Sequence, residues 1–204
     1  MVVDSGMRGY YDRRAPEYDD WWLGRGLYAD LDRPGWDDEV AQLVDAVAGL
    51  PPARVLDVAC GTGFLTRHLR GQVTGLDQSP AMVGIASAAA PQARIVQGDA
   101  VPLPFADDSF DRVFTGHFYG HLLEPERAAF LAEAARVGDR LVVVDSALRD
   151  GVEADQWQER TLSDGSRHRV YKRYFTGPRL AEELGDGRVL HAGRWFVAVD
   201  APIR

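Results

Sequence analysis

Short apolar runs alternate with helix-forming stretches along the chain from Ala53 onward. The apolar runs that predict buried strands lie at residues 55–58, 73–76, 93–96, 111–114 and 140–144. Helices are expected between them at residues 64–69, 80–90 and 124–137. Ser79 as N-cap and Pro80 at the first helical position mark the start of the second helix. Strands about 20–30 residues apart with intervening helices are typical of βαβ units, so the pattern predicts a parallel sheet.

The pattern changes after Ala147, where the regular alternation ends. The predicted elements are a helix at residues 157–162, a turn at 164–165, an extended segment at 168–175 and closing strands at 188–190 and 195–199. We expect the helix and the extended segment to lie over the sheet, and the two closing strands to pair antiparallel. A chain of 204 residues is ordinary for one domain with one core, so a single domain is expected over residues 1–204.

The first fifty residues carry a dense set of aromatic side chains on an acidic background. Its members are Tyr10, Tyr11, Tyr18, Trp21, Trp22, Tyr28 and Trp36. One interpretation is a helical cover that buries these rings on the sheet, and the other is a lid over a pocket. Tyr11 and Tyr18 are seven residues apart, so on a helix they share nearly one face, and each offers a ring and a hydroxyl to a ligand.

Composition narrows the function classes. The chain has 23 basic and 31 acidic side chains, a formal net charge of −8, which argues against binding to a nucleic-acid backbone. The densest basic stretch, residues 167–173, suits the solvent face of a strand. With Lys172 as the only lysine, preceded by Tyr171, the chain has no Gly-Lys-Ser/Thr phosphate loop. Its one cysteine, Cys60, leaves no intramolecular disulfide and no cysteine-cluster zinc site.

Hydropathy and the first residues of the chain indicate the expected cellular compartment of the protein. No apolar run is long enough to span a bilayer, and the start lacks the basic-then-apolar layout of a signal peptide. We therefore expect a soluble protein in the reducing cytoplasm, without membrane insertion and without a nucleic-acid partner.

A glycine loop and three acids lie at the carboxyl ends of three successive predicted strands. Gly61 and Gly63 lie where the first strand meets the first helix, the usual ligand position in an open α/β sheet. Asp57 precedes them, Asp77 ends the second strand, and Asp99 follows the third. Since the carboxyl ends of parallel strands share one edge of the sheet, these acids should line one crevice. A carboxylate at position 77 can accept hydrogen bonds from both ribose hydroxyls.

The loop favours one nucleotide ligand over another. The dinucleotide-binding motif has a third glycine, but Thr66 occupies that position here. The carboxylate of Asp57 would also repel a pyrophosphate bound beside it. The same carboxylate suits the ammonium group of an amino-acid ligand. Asp99 can accept from an adenine amino group while the N–H of Ala100 reaches a ring nitrogen. The implied ligand is adenosine joined to an amino acid.

These segments carry a family resemblance. Residues 55–63, 75–82, 98–105 and 110–113 resemble the successive motifs of class I S-adenosylmethionine-dependent methyltransferases, and residues 11–19 resemble the N-terminal motif of the ubiquinone/menaquinone-biosynthesis type. The resemblance covers residues 10–147 and is specific for fold and cofactor but not for substrate. It implies a Rossmann-like, doubly wound, seven-stranded sheet, mostly parallel with an antiparallel C-terminal strand. It also implies S-adenosyl-L-methionine as cofactor and a small-molecule methyl acceptor.

The resemblance assigns the chain regions and residues. Residues 1–50 become the helical lid, 51–147 the cofactor-binding core, and 148–204 the substrate-side cover with the closing strands. The implied cofactor-binding residues are Tyr11, Tyr18, Asp57, Ala59, Cys60, Gly61, Gly63, Asp77, Gln78, Met82, Asp99, Ala100, Thr115 and His117. The chain departs from the family at Ala59, which replaces a glycine, at Gln78, which replaces a larger apolar residue, and at residues 137–139, where the turn is shortened.

Two histidines follow the fourth predicted strand, in the region that the resemblance places beside the methyl group. His117 or His121 is a candidate base for an acceptor hydroxyl or amine, because imidazole titrates near neutrality. The alternative is that His121 begins or caps the next helix and that His117 only contacts the cofactor. Their spacing also suits a metal ion, but no third ligand is evident, so no metal is expected. The aromatic residues considered for an acceptor pocket are Trp22, Tyr28, Tyr119, Tyr171 and Tyr174.

Three function classes stay open at this point. The first is an S-adenosylmethionine-dependent methyltransferase of a small molecule. The second is a catalytically silent S-adenosylmethionine-binding module that works with a partner protein, and the third is a nicotinamide-dependent reductase.

Overall fold

A seven-stranded sheet with helices on both faces forms the centre of the protein. The computed structural model describes residues 5–204. The strands are β1 (Ala53–Val58), β2 (Gly71–Asp77), β3 (Arg94–Gln97), β4 (Phe110–Gly116), β5 (Gly138–Ser146), β6 (Asp155–Thr161), β7 (Arg167–Arg173), β8 (Arg188–Ala192) and β9 (Phe196–Pro202). The helices are α1 (Ser5–Arg14), α2 (Asp20–Leu23), α3 (Trp36–Ala48), α4 (Pro80–Ala89), α5 (Glu124–Val137) and α6 (Gly177–Glu183).

The order of strands in the main sheet is β3-β2-β1-β4-β5-β9-β8. The first five strands of that order are parallel, and β9 runs antiparallel to β5 and β8. The Rossmann-like fold, the five parallel strands and the antiparallel closing pair are therefore as predicted. No helix among residues 5–204 has the length and apolar character needed to cross a membrane.

The central strands bury both faces, and side chains alternate between two cores. On β5, Leu141 and Val143 pack toward α5 and α6, whereas Val142 and Val144 pack toward α3 and the N-terminal tryptophans. Alternation follows from the two-residue repeat of a strand, and apolar residues fill both phases because helices cover both faces. This is why β5 reads as an unbroken apolar run in the sequence.

Local signals set the ends of the flanking helices. Ser79 caps α4 as predicted, since its Oγ accepts a hydrogen bond from Met82 N at 3.1 Å. Helix α5 ends at Val137 and passes into β5 at Gly138 without a loop. A Cβ on Gly138 would lie 3.0 Å from Val113 Cγ2, so this close approach of helix end to sheet favours glycine.

Two predicted helices are wrong. Residues 157–161 belong to β6 and Leu162 directly follows it. Strand β6 pairs antiparallel with β7 in the register Thr161↔Arg167, with Gly165 at φ +82° in the turn between them. The exposed and half-buried positions of β6 alternate, the period of a strand and not of a helix. The stretch at 64–69 contains one 3-10 turn, Thr66–His68, in place of the predicted helix.

The β6–β7 hairpin is fastened to the sheet by a buried ion pair. Lys172 Nζ donates to Asp145 Oδ1, and the side chains of Lys172 and Asp145 are 4% and 0% exposed. Asp145 also accepts from the backbone N–H groups of Gly120, at 2.7 Å, and Ser146, at 2.8 Å. Burial acts to raise the pKa of Asp145, but the charge of Lys172, the proximity of His117 and the hydrogen bonds from Lys172 and Ser146 N together hold that pKa below its ordinary value.

We predict that Lys172→Met lowers the free energy of unfolding by about 3–5 kcal/mol, because it leaves a buried carboxylate without its counter-charge. Arg167→Met is the matched control, since Arg167 forms an exposed ion pair with Glu159 on the same hairpin and should cost under about 1 kcal/mol. Urea unfolding of both variants gives the two values. Equal losses of unfolding free energy in the two variants would mean that the buried ion pair stabilises the fold no more than the exposed one does.

Candidate functional site

A cavity of about 320 Å³ lies at the carboxyl ends of β1, β2 and β4. Its floor is made by strand ends and the glycine loop, one side by the N-terminal segment, and its roof by the β6–β7 hairpin. Residues from each part line it, among them Gly61, Asp77, Tyr18 and Tyr171. The site therefore lies where the order of parallel strands reverses around β1, the expected ligand position in this type of sheet.

The loop after β1 has an unusual backbone conformation. Ala59, Gly61 and Gly63 have φ values of +57°, +56° and +80°, the left-handed region that favours glycine. At Ala59 this conformation costs about 1–2 kcal/mol, so the departure from glycine is accommodated with strain. A Cβ on Gly63 would lie 3.2 Å from Ala86 Cα, so Gly63 is needed for packing against α4. Ala59 and Gly61 line the cavity.

Asp77 fixes the loop and also faces the cavity. Its Oδ2 accepts from Gly61 N and its Oδ1 from Ser79 N, both at 2.9 Å. Burial raises the pKa of Asp77, while these backbone N–H groups oppose the rise. Each carboxylate oxygen has two lone pairs, so Asp77 can accept further hydrogen bonds from a ligand.

Three predicted cofactor residues support the loop from below. Asp57 accepts from Thr66 Oγ1 at 2.7 Å, and burial raises the pKa of Asp57 to about 7. Thr115 Oγ1 donates to Val58 O at 2.8 Å. Asp57 and Cys60 line a small void of about 20 Å³ under the loop instead of the main cavity. Their part in ligand binding stays a prediction.

The side of the cavity formed by β2, β3 and α4 holds the remaining predicted contacts. Gln78, Met82, Gly98 and Ala100 line it. Asp99 lies between two of them, but its side chain is exposed and outside the lining. A role for Asp99 therefore stays a prediction that requires its side chain to turn inward.

The N-terminal segment covers the cavity and is tied to the loop. Tyr11 and Tyr18 both line the cavity, with ring centroids 6.5 Å apart. Asp12 accepts from Ser79 Oγ, and Asp19 accepts from Thr62 Oγ1, each at 2.5 Å. These two acid–hydroxyl bonds join the segment to α4 and to the glycine loop. Sequence reasoning missed both, since the partners are 67 and 43 residues apart.

The same segment is also part of the hydrophobic core. Tyr10, Trp22 and Trp36 are buried, and Trp22 stacks on Phe64 with centroids 4.4 Å apart. Lid and structural cover are thus one segment, and its removal would expose core side chains together with the cavity. Residues 1–4 of the predicted lid lie outside the described residues.

His117 is buried at the inner end of the cavity. Its φ is +56°, and its Nδ1 lies 3.5 Å from Ser146 Oγ and 3.8 Å from Asp145 Oδ1. Among the described residues its Nε2 has no hydrogen-bond partner. Burial lowers the pKa of His117 to about 3, although the Asp145 carboxylate opposes this, so the ring is neutral near pH 7.

His121 has a defined tautomer. Its Nδ1 lies 2.6 Å from Tyr171 O, and a carbonyl oxygen only accepts, so Nδ1 carries the proton and Nε2 holds a lone pair. Burial lowers the pKa of His121 well below its ordinary value. The residue lies in a 3-10 turn and α5 takes Leu123 as N-cap, so the alternative that His121 caps this helix is wrong.

A second cavity of about 580 Å³ adjoins the first and shares Tyr18, His117 and His121 with it. Tyr28 and Tyr174 line this second cavity, as expected of an acceptor pocket. Tyr119 does not, because it is fully buried and its hydroxyl donates to Glu183 Oε1 at 2.9 Å. Trp22 lies under the glycine loop and Tyr171 on the first cavity, so the predicted aromatic set is divided among several places. Within residues 5–204 no cluster of three metal-ligating side chains occurs.

Known proteins are similar in sequence to the region that forms this site. Residues 56–140 match a family model described as a methyltransferase domain. The chain is 40% identical over 109 residues to a demethylmenaquinone methyltransferase of Renibacterium salmoninarum, covering 50% of this chain and 45% of that one. It is 33% identical over 162 residues to a 2-phytyl-1,4-naphtoquinone methyltransferase of Synechococcus elongatus, covering 71% and 65%. The chain thus spans about half to two thirds of the length of these relatives.

Solved structures extend the likeness to the whole chain. A structure described as a DhpI-SAM-HEP complex superposes with a TM-score of 0.74 at 26% identity, covering 98% of this chain and 100% of that one. Magnesium protoporphyrin IX methyltransferase from Synechocystis superposes at 0.65 with 20% identity, covering 96% and 97%. At that identity the second likeness concerns the fold alone.

We predict that His117 makes stability depend on pH. Its pKa is lower in the folded chain, about 3, than the ordinary 6.5, so its contribution is complete above pH 6.5 and is lost as the pH falls toward 3. In that range His117→Gln should flatten the dependence of the unfolding free energy by about 1.4 kcal/mol per pH unit. Urea unfolding between pH 4.5 and about 7.5 measures the slope.

His68→Gln is the control for this prediction, because the ring of His68 is partly exposed and its pKa is lowered to a smaller extent. It should change the slope less. An identical slope in the wild type and in His117→Gln would show that folded His117 binds protons as readily as the unfolded chain does.

Proposed function

We propose that this protein is a small-molecule methyltransferase of the class I S-adenosylmethionine-dependent type, because residues 56–140 match a family model described as a methyltransferase domain. S-adenosylmethionine would occupy the first cavity, and the acceptor would occupy the second. The meeting of both cavities at His117 and His121 supports this arrangement, because donor and acceptor must touch at one point. Two structures described as complexes with SAM or SAH, at 26% and 28% identity, support the cofactor.

The position of Asp77 is the observation that carries the proposal. Its carboxylate is buried at the end of β2, is oriented by two backbone N–H groups and borders the cavity. Ribose hydroxyls are the ligand groups that such a carboxylate accepts from in this fold. Thr66, at the place of a third glycine, is bonded to Asp57, and this favours an amino-acid extension over a pyrophosphate.

The sulfonium group of the bound cofactor supplies the activated methyl group, so the protein acts mainly by positioning. Tyr11 and Tyr18 close the cavity against water, and their hydroxyls are available to a ligand carboxylate. The Nε2 lone pair of His121 can accept a proton from an acceptor hydroxyl or amine. His117, held neutral by burial, adds a second nitrogen at the same place. The named relatives act on quinones, which supports a small organic acceptor.

Calorimetric titration with S-adenosylhomocysteine and, in parallel, with NAD tests the cofactor assignment. We expect the first to bind and the second to bind far more weakly. Preferential binding of NAD would overturn the proposal in favour of a reductase. Multiple turnover of S-adenosylmethionine with any acceptor would exclude a catalytically silent binding module.

We predict that Asp77→Ala weakens binding of S-adenosylhomocysteine by about 1.5–3 kcal/mol for each charged hydrogen bond lost. Asp45→Ala is the control, since Asp45 is exposed on α3 and outside both cavities. Titration calorimetry gives the affinities, and urea unfolding shows whether the loop has loosened. Wild-type affinity in a folded Asp77→Ala variant would mean that the ribose is held elsewhere.

We predict that Tyr18→Phe weakens cofactor binding by about 0.5–1.5 kcal/mol with the melting temperature almost unchanged. Among the described residues the Tyr18 hydroxyl makes no hydrogen bond that the fold would lose. Tyr119→Phe should do the reverse, because it removes a part-buried hydrogen bond to Glu183 and Tyr119 lines neither cavity. A Tyr18→Phe variant that loses stability and keeps its affinity would identify the ring as structural cover.

A further inference from the structure

The second cavity carries positive charge in a protein whose net charge is −8. Five cationic side chains line it: Arg14, Arg33, Arg149, Arg160 and Lys172. The carboxylates in its lining are those of Asp32 and Glu159, both on exposed residues. Glu159 is paired with Arg167, which lies outside the cavity. The acids at the rim therefore leave most of this charge unbalanced.

Arg14 is the strongest sign of a missing partner. It is 6% exposed, and its guanidinium donates to Tyr10 Oη at 2.9 Å and to Tyr28 Oη at 3.4 Å. The guanidinium also lies 4.7 Å from the ring centroid of Tyr18. No carboxylate among the described residues lies within ion-pair distance of Arg14. Since an arginine stays protonated, a buried one held only by neutral groups leaves a charge that an anion would balance.

Arg160 faces the same space from the hairpin. Its Nη2 donates to Gln158 Oε1 at 3.1 Å, and within residues 5–204 it has no carboxylate partner either. Burial is the main cause of the lowered pKa values of His117 and His121. The positive charges of Arg160 and Arg14 make smaller contributions in the same direction. Arg14, Arg160 and the two histidines all line the second cavity. Lys172 is the third cation here, and Asp145 balances it.

The rest of the wall is aromatic and apolar. Its members include Trp21, Leu27, Leu31, Trp36, Tyr174 and Trp195. The guanidinium of Arg33 lies 3.9 Å from the ring centroid of Trp36, and that of Arg149 lies 4.5 Å from that of Trp195. These two arginines are held against rings and belong to the wall. An apolar body with one acidic group is complementary to such a cavity.

We propose that the methyl acceptor is an organic acid with an aromatic or apolar body, whose anionic group binds between Arg14 and Arg160. The acceptor's nucleophilic atom then points toward His117 and His121, at the boundary with the first cavity. The anion site stands on the second cavity alone, whereas its role as an acceptor site rests on the proposed function. Carboxylate and phosphoryl groups share the required chemistry, and the experiment separates them.

Binding of small probes tests this directly. Benzoate, phenyl phosphate and the neutral benzamide are titrated calorimetrically into the protein, with and without saturating S-adenosylhomocysteine. We expect at least one acid to bind ten-fold or more tightly than benzamide, and its affinity to fall as NaCl is raised. The tighter of the two acids identifies the anionic group. Equal affinity for benzamide, or no binding of either acid at millimolar concentration, would overturn the proposal.

Two variants locate the site. Arg14→Gln and Arg160→Gln should each weaken binding of the preferred acid about ten-fold and leave benzamide unaffected. Arg179→Gln, an exposed arginine on α6 outside the cavity, should change nothing. Arg160 is only partly buried, so its variant keeps the test valid if Arg14→Gln fails to fold. Wild-type affinity for the acid in a folded Arg160→Gln variant would refute the assignment.

The titration without cofactor keeps the two proposals apart. If S-adenosylhomocysteine fails to bind but the acid still binds through Arg14 and Arg160, the proposed function fails and the anion site stands. If S-adenosylhomocysteine binds and the acid shows no preference over benzamide, the anion site fails and the proposed function stands.

Discussion

The buried carboxylate of Asp145 holds three parts of the molecule in one arrangement. It accepts from Lys172 on the hairpin and from the backbone of Gly120 after β4, while it is itself on β5. His117 lies within 3.8 Å of it. A fully buried charge is stable only when its partners are in place. If the hairpin left the sheet, the carboxylate of Asp145 would stay buried without its counter-charge. The roof of both cavities and the surroundings of the histidines depend on this carboxylate.

The N-terminal segment illustrates how one stretch of chain serves two purposes. Its tryptophans complete the core against α3 and Phe196, and its tyrosines turn toward the cavity. The bonds from Asp12 and Asp19 to hydroxyl groups fix the segment at the glycine loop itself. Packing energy and ligand access are therefore linked, since any opening of the cavity on this side also disturbs aromatic contacts.

Much of this could be predicted from the sequence because its signals are local. Each of these signals lies within a few residues of sequence: the apolar runs of the parallel strands, the Ser79-Pro80 helix start and the acids near the glycine loop. The predicted helix at residues 157–162 is wrong because this run mixes apolar and polar side chains and is too short to distinguish a period of two residues from one of 3.6. The contacts of Asp12, Asp145 and Arg14 join distant positions, and no local pattern encodes which partner a charged side chain meets or lacks.

The hairpin has a further consequence through its place in the chain. Residues 155–173 form a separate two-stranded sheet inserted between β5 and α6, joined to the main sheet near its base by the bridge between Ala147 and Phe175. The strands that carry the glycine loop, Asp77 and the closing pair are continuous without it. As long as Lys172 is kept opposite Asp145, a lineage can therefore lengthen this insertion or change its other residues, and so alter the shape of the second cavity, without rebuilding the sheet. The sheet and the Lys172–Asp145 pair form the constant part of the fold, and the other residues of the hairpin form the part that can vary.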